Sequence, residues 1–152
     1  NAVAKRAAES QKEFDILIAG LTDSDAIIRM RSADAAEKAS QKNPALLTKH
    51  RRILLQGLKS YMQQEVCWHV ALMLPRLSLT AKEARLAADQ LLQWVQSSKS
   101  KIVIVNSLQG LWELSAKFPS IRPQVVHLIE QLLQLGSPAV KARARKLLAA
   151  QD

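Results

Sequence analysis

Three histidines, one cysteine, three tryptophans and a closely spaced acidic pair are the side chains on which chemistry could be built. His50, His69 and His127 stand far apart, at no metal-like spacing to one another. His69 lies two residues from Cys67, which on a helix puts the two side chains on different faces, so a metal there would need ligands from elsewhere. Cys67 has no second cysteine to pair with, which excludes an internal disulfide, and it reads as a small buried hydrophobe rather than a nucleophile. Asp34 and Glu37 are one helical turn apart and could form a carboxylate dyad. A solvated helix face with Glu37 paired to Arg29 or Arg31 accounts for them more simply. The glycines, at 20, 57, 110 and 136, are too scattered for a phosphate-binding loop. The expectation is therefore a chain without a catalytic residue, without a metal and without a cofactor.

What remains is charge and aromatic surface. The net charge is +9. Residues 1–37 hold 5 basic and 7 acidic side chains, whereas residues 38–152 hold 17 basic and 6 acidic. A basic body of this kind attracts nucleic acid, acidic proteins or anionic lipid, and it also keeps a domain soluble. No apolar run reaches the length of a membrane span and no signal peptide is visible. The single cysteine fits a reducing compartment, so the cytoplasm is the expected location. The chain starts at Asn1 without Met, which leaves an upstream targeting segment open.

The elements that must carry these residues are helices. Hydrophobic residues make up 48% of the chain but aromatics only 4%, and the rest is largely Ala, Leu, Gln, Lys, Arg and Glu, which lose little entropy in a helix. Thr22–Asp23–Ser24–Asp25 separates two periodic segments, with Ser24 or Asp25 as a cap. Asn43–Pro44 ends the next, because the residue before proline avoids the α region. Thr80-Ala-Lys-Glu83 reads as a capping box after the break at 77–80. Phe118–Pro119–Ser120 is a further break, and Gly136–Ser137–Pro138 stops one helix and starts another. These signals predict a single all-α domain, 1–152, of eight helices over 4–21, 25–42, 45–59, 63–77, 81–97, 100–117, 120–135 and 138–150. Pro75 is expected to kink or end the fourth, and the Ile102–Val105 run to stay helical.

Pairing those helices exposes an internal repeat. Ile28, Val66, Val103 and Val140, each taken as the first buried residue of a second helix, are separated by 38, 37 and 37 residues. Four residues on come Ser32, Val70, Ser107 and Ala144, mostly small, and eight residues on come Ala36, Leu74, Leu111 and Leu148. In the first helices Leu17–Ile18–x–x–Leu21 recurs as Leu54–Leu55–x–x–Leu58 and Leu91–Leu92–x–x–Val95, with a looser Leu128–Ile129–x–x–Leu132. A hairpin this short cannot bury its apolar faces alone, and stacked copies make one continuous core.

Asp25–x–x–Ile28–Arg29–x–x–Ser32–Ala33–x–Ala35–Ala36 resembles the second-helix pattern of a HEAT repeat, of the armadillo type. Ser137–Pro138–x–Val140–Lys141–x–Arg143–Ala144 is similar but less faithful, and the middle two repeats depart from the pattern with Cys67 and Ile104 where Arg29 stands in the first. The resemblance implies a right-handed α–α superhelix of about four hairpins, at 4–42, 45–77, 81–117 and 120–150, with the second helices lining its concave side. It is nearly silent on function. The bacterial DNA glycosylases that remove alkylated bases are also HEAT-like and use Trp and Asp on a basic concave face. Here Trp68 is followed by His69 and Trp112 by Glu113, and no aspartate can be placed beside Trp68, Trp94 or Trp112, so that enzymatic reading is disfavoured.

With Ile28 pointing into the core, stepping 100° per residue turns the second, sixth and ninth residues after each anchor into the concavity. The groove expected from this phase is Met30, Trp68, Leu72, Val105, Gln109 and Trp112, an aromatic and apolar patch rimmed by charge, as at protein or peptide binding sites. The alternative phase packs the tryptophans between helices. A separate anion-binding patch is expected from Arg31, Lys49, Arg51, Arg52, Lys141, Arg143, Arg145 and Lys146, which could track phosphates or serve only dipoles and solubility. Two partners follow: a protein or peptide segment in the groove, or nucleic acid on the basic faces.

Overall fold

The computed structural model describes residues 1–151. It is all-α: among the described residues there are nine α-helices, four short 3-10 segments and no strand. The chain divides into two compact units, Asn1–Ser78 and Leu79–Asp152.

The first unit contains α1 (Ala2–Glu9), α2 (Gln11–Gly20), α3 (Ala26–Lys42), α4 (Arg51–Gly57) and α5 (Gln64–Met73). The expected first helix, 4–21, is thus two helices, broken at Ser10. Ser10 has extended backbone and its hydroxyl accepts from the Glu13 amide, so it caps α2. The Ser10–x–x–Glu13 spacing is itself a helix-start signal. The expected helix 45–59 also differs: Pro44–His50 and Leu58–Ser60 are 3-10, and only Arg51–Gly57 between them is α. Asp25 rather than Ser24 caps α3. Pro75 ends α5 as expected, within a 3-10 turn, Leu74–Arg76.

α3 is the centre of this unit and packs on α1, α2 and α5. It can do so because Ser32, Ala33, Ala35, Ala36, Ala39 and Ser40 are small and buried, which lets neighbouring backbones come close. The closest approach is at Gly20, where a β-carbon would collide with Oγ and Cβ of Ser32.

The second unit contains α6 (Ala81–Ser97), α7 (Lys101–Lys117), α8 (Arg122–Leu135) and α9 (Pro138–Ala149), with a 3-10 turn at Pro119–Ile121. The Thr80–Glu83 capping box closes in both directions, and Ser137 caps α9 with Pro138 at its first position. Gly136 stops α8 in extended backbone (φ −75°, ψ 163°) and not in the left-handed region. α7 packs on α6, α8 and α9 through Val103, Leu108, Leu111 and Leu114. Fully burying each such side chain contributes about 1.5–3 kcal/mol before entropy is charged.

Within both units, long-range side-chain hydrogen bonds join residues 34 to 39 apart: Gln11 to Leu46, Arg29 to Gln63 and Arg76 to Glu37 in the first, Arg85 to Gln124 and Gln109 to Arg143 in the second. These separations lie on either side of the 37 to 38 residues read from the apolar pattern. Three of the four anchors of that pattern are buried, Val66 at 1% and Val103 and Val140 at 2% exposure. Ile28 is not: it is 44% exposed. It lines a hollow of about 360 Å³ among α1, α2 and α3.

Candidate functional site

Met30, Trp68 and Leu72 belong to the first unit, and Val105, Gln109 and Trp112 to the second; each set is described in its own unit. In the first unit α3 and α5 lie side by side, and three contacts fix their register. Gln63 donates to the Ala26 carbonyl at 3.0 Å, Asp34 Oδ1 lies 3.8 Å from His69 Nε2, and Glu37 Oε1 lies 3.3 Å from an Arg76 guanidinium nitrogen. The helices therefore run in the same direction. Met30 and Asp34 are one turn apart on α3, Trp68 and Leu72 one turn apart on α5, and all four are half-buried. The Trp68 and His69 rings are 5.6 Å apart and tilted.

The electrostatics of this face differ from the sequence expectation. Glu37 does not lie on a solvated face with Arg29 or Arg31. It is buried, and Arg76 reaches it from the end of α5, donating also to the Glu37 carbonyl at 2.8 Å and to Ser40 Oγ at 2.9 Å. Arg29 instead bonds Gln63 and the carbonyls of Asp23 and Ser24, closing the turn before α3. Asp34 binds Lys38 Nζ at 2.9 Å. His69 Nδ1 is buried with no hydrogen-bond partner. Burial pushes the His69 imidazole below its ordinary pKa, against the pull of Asp34, Glu37 and Glu65 and with the push of Lys38.

In the second unit the ninth position turns inward. Trp112 is buried, at 9% exposure, with the Arg122 guanidinium 3.9 Å from its ring centroid. Its place in an open groove is thereby corrected: over the nine residues from Val103 the helix brings the indole back under α8, and the same position in the first unit holds buried Glu37 and Pro75. Val105 and Gln109 are half-buried, and Gln109 accepts from Arg143 at 3.0 Å and donates to Glu113 at 3.3 Å. Trp94 is buried as well.

The expected basic patch is not one cluster. Arg31 is exposed at the hollow beside Ile28. Lys49 is tied to Asp15 at 2.8 Å, while Arg51 and Arg52 are exposed at the start of α4. In the second unit Lys141 and Arg143 are half-buried and Arg145 and Lys146 exposed, all on α9.

Sequence reasoning missed the cluster around Asp15, which joins α2 to the 3-10 segment after Pro44. Asp15 receives Lys49, His50 Nε2 at 2.6 Å and Gln11 at 2.8 Å, and these contacts hold its carboxyl well below the usual range. Phe14 packs on His50, ring centroids 5.8 Å apart. Cys67 is buried, donates to the Tyr61 carbonyl, and has its thiol pushed up to about 11 by burial. Among the described residues no group of three or more His, Cys, Asp or Glu side chains is arranged to hold a metal, and no helix is long and apolar enough to cross a membrane.

No family model, curated protein or solved structure matches this chain.

Proposed function

We propose that the chain is a non-enzymatic interaction module of HEAT-like hairpins that binds a segment of a partner protein on the α3/α5 face of its first unit. The hairpin reading is supported by side-chain hydrogen bonds between residues 34 to 39 apart, close to the 37 to 38 of the apolar pattern. The binding reading rests on one observation: Trp68 is only half-buried, with Leu72 one turn further along the same helix and Met30 and Asp34 half-buried on the parallel neighbour. A large aromatic left partly in water beside apolar and charged neighbours is the usual anchor of a protein interface. The segment it takes inserts an apolar side chain against Trp68 and Leu72, with Asp34 and Lys38 steering from the rim. A lone buried thiol suits a cytoplasmic setting.

The test is selection of binding peptides from a displayed random library on the wild-type chain, followed by titration of the winners against Trp68→Ala and Leu72→Ala. Loss of affinity on the order of 30-fold with unchanged helix content is expected. Winners that bind both variants like wild type would place the site elsewhere.

A second reading, nucleic-acid binding, draws on α9, where Lys141, Arg143, Arg145 and Lys146 occur with no acidic residue in the helix. Anisotropy of a labelled DNA duplex at low and moderate salt separates the two. Tight binding that falls steeply with salt favours the basic helix, and no binding even at low salt leaves the groove.

A further inference from the structure

We infer that the chain docks on an anionic lipid bilayer through the outward face of α2 and α4 in its first unit. Ile16 and Ile53 enter the headgroup region and the bases around them meet the lipid charges. The inference does not depend on the partner site at Trp68.

The Asp15 cluster sets the geometry. Gln11 donates to the Leu46 carbonyl at 3.0 Å, and one turn later Asp15 takes Lys49 and His50. α2 and the segment that leads into α4 therefore run side by side in the same direction. α2 buries Phe14 and Ile18 and turns Lys12, Ile16 and Ala19 the other way. α4 and the 3-10 turn after it bury Leu54 and Leu58 and turn out Arg52, Ile53, Gln56 and Lys59. Ile16 and Ile53 are 63% and 59% exposed, so two branched aliphatic side chains stand in water on neighbouring elements.

Charge decides the occupant. Residues 43–64 hold Lys49, Arg51, Arg52 and Lys59 and no acid. Both acids of α2 are paired: Glu13 with Arg6 at 3.2 Å, and Asp15 with Lys49, His50 and Gln11. The face thus offers Lys12, Arg52 and Lys59 around two isoleucines. A bilayer with acidic headgroups matches both parts at once, because it attracts each base and takes the aliphatic side chains into the acyl boundary. Nucleic acid would use the bases and leave the isoleucines in water. A peptide anchor fills a pocket, and neither the hollow beside Ile28 nor the one beside Tyr61 is lined by Ile16 or Ile53.

The test is flotation of the full chain with vesicles of phosphatidylcholine, alone and mixed with phosphatidylserine, at low and moderate salt. Wild type should rise with the phosphatidylserine vesicles, less so at moderate salt, and stay behind with phosphatidylcholine alone. Ile16→Ser with Ile53→Ser leaves every charge in place and should lower the partition coefficient on the order of tenfold. Arg52→Gln with Lys59→Gln should lower it on the order of tenfold and flatten the salt dependence. Arg145→Gln with Lys146→Gln on α9, and Trp68→Ala, should both bind vesicles like wild type. Failure here is therefore distinct from failure of the partner site or of the basic helix. No binding to phosphatidylserine vesicles even at low salt overturns the proposal. So does an isoleucine pair that binds like wild type, which is the behaviour of a general polyanion site, nucleic acid included. The substituted side chains are exposed, and helix content should survive. If the isoleucine pair unfolds, the two charge pairs decide: loss at α4 alone supports the face, and loss at α9 or at neither overturns it.

Discussion

In the first unit, acids and bases meet across neighbouring elements, Asp15 with Lys49 and His50, Asp34 with His69 and Glu37 with Arg76, and Asp34 also pairs with Lys38 along α3. In the second, the comparable long-range contacts are from arginine to a neutral amide, Arg85 to Gln124 and Arg143 to Gln109, and the ion pair Arg85–Asp89 runs along a single helix. The interiors differ to match. α3 buries alanine and serine and leaves room for polar partners, while α7 buries Val103, Leu108, Leu111, Leu114 and Trp112. The central helix is thus packed by small residues and close backbone approach in one unit and by large apolar side chains in the other. Charged contacts between helices are specific but fragile, since each leaves a desolvated partner behind when one member is removed.

The largest expected break in this comparison is at Arg76. Arg76→Met strands Glu37, which is buried, and should cost about 3 kcal/mol, read as a lower urea midpoint followed by circular dichroism. Replacing Glu37 by Leu as well should recover part of the loss, because the stranded charge is then gone; the Ser40 contact stays lost. Arg143→Met in the second unit leaves only the neutral Gln109 unpaired and should cost less than about 1 kcal/mol. Equal losses at the two arginines would erase the distinction between the units.

A smaller effect sharpens the same contrast at one position of the repeat. Gly20 follows the Leu17–Ile18 pair as Trp94 follows Leu91–Leu92, so the first unit has its smallest residue where the second has its largest. Gly20→Ala drives a methyl into Ser32 across the α2–α3 contact and should destabilise by about 1–3 kcal/mol, although alanine favours the helix. The check is a thermal midpoint that falls in the single variant and recovers when Ser32→Gly is added. A neutral Gly20→Ala would mean that α2 and α3 are free to separate.

How far these features could be read beforehand depends on the range of the force that makes them. Caps act over three residues, and Asp25, Thr80 and Ser137 were each legible as helix starts, as were the stops at Asn43 and Phe118. Ser10 carries the same signal within the span expected as a single helix, 4–21. The spacing of 37 to 38 residues belongs to the apolar pattern of Ile28, Val66, Val103 and Val140. What it did not reveal is which face each position takes near the end of a helix. Trp112 turned inward because a nine-residue step accumulates phase error, and Ile28 is 44% exposed although it stands at the position where Val66, Val103 and Val140 are buried. The ion pairs were missed because no local pattern encodes them: Arg76 is closer in space to Glu37 than Arg29 or Arg31 is, but it lies 39 residues away in sequence.

The smallest expected effect is one of pH, and it belongs to the first unit through His69. Burial is the main cause of its lowered pKa, and the unfolded chain restores an ordinary value of about 6.5. As pH falls below that value, the unfolded state takes up a proton that the folded state still refuses, so unfolding gains and stability declines. The decline ends once pH passes below the folded pKa, where both states are protonated. His69→Asn, which cannot titrate, should therefore flatten the urea midpoint across this window while leaving the slope above about 6.5 unchanged. If the profile of the variant falls as steeply as wild type, Asp34 has offset the burial of the imidazole, and the α3/α5 face is more open to water than the partnerless Nδ1 implies.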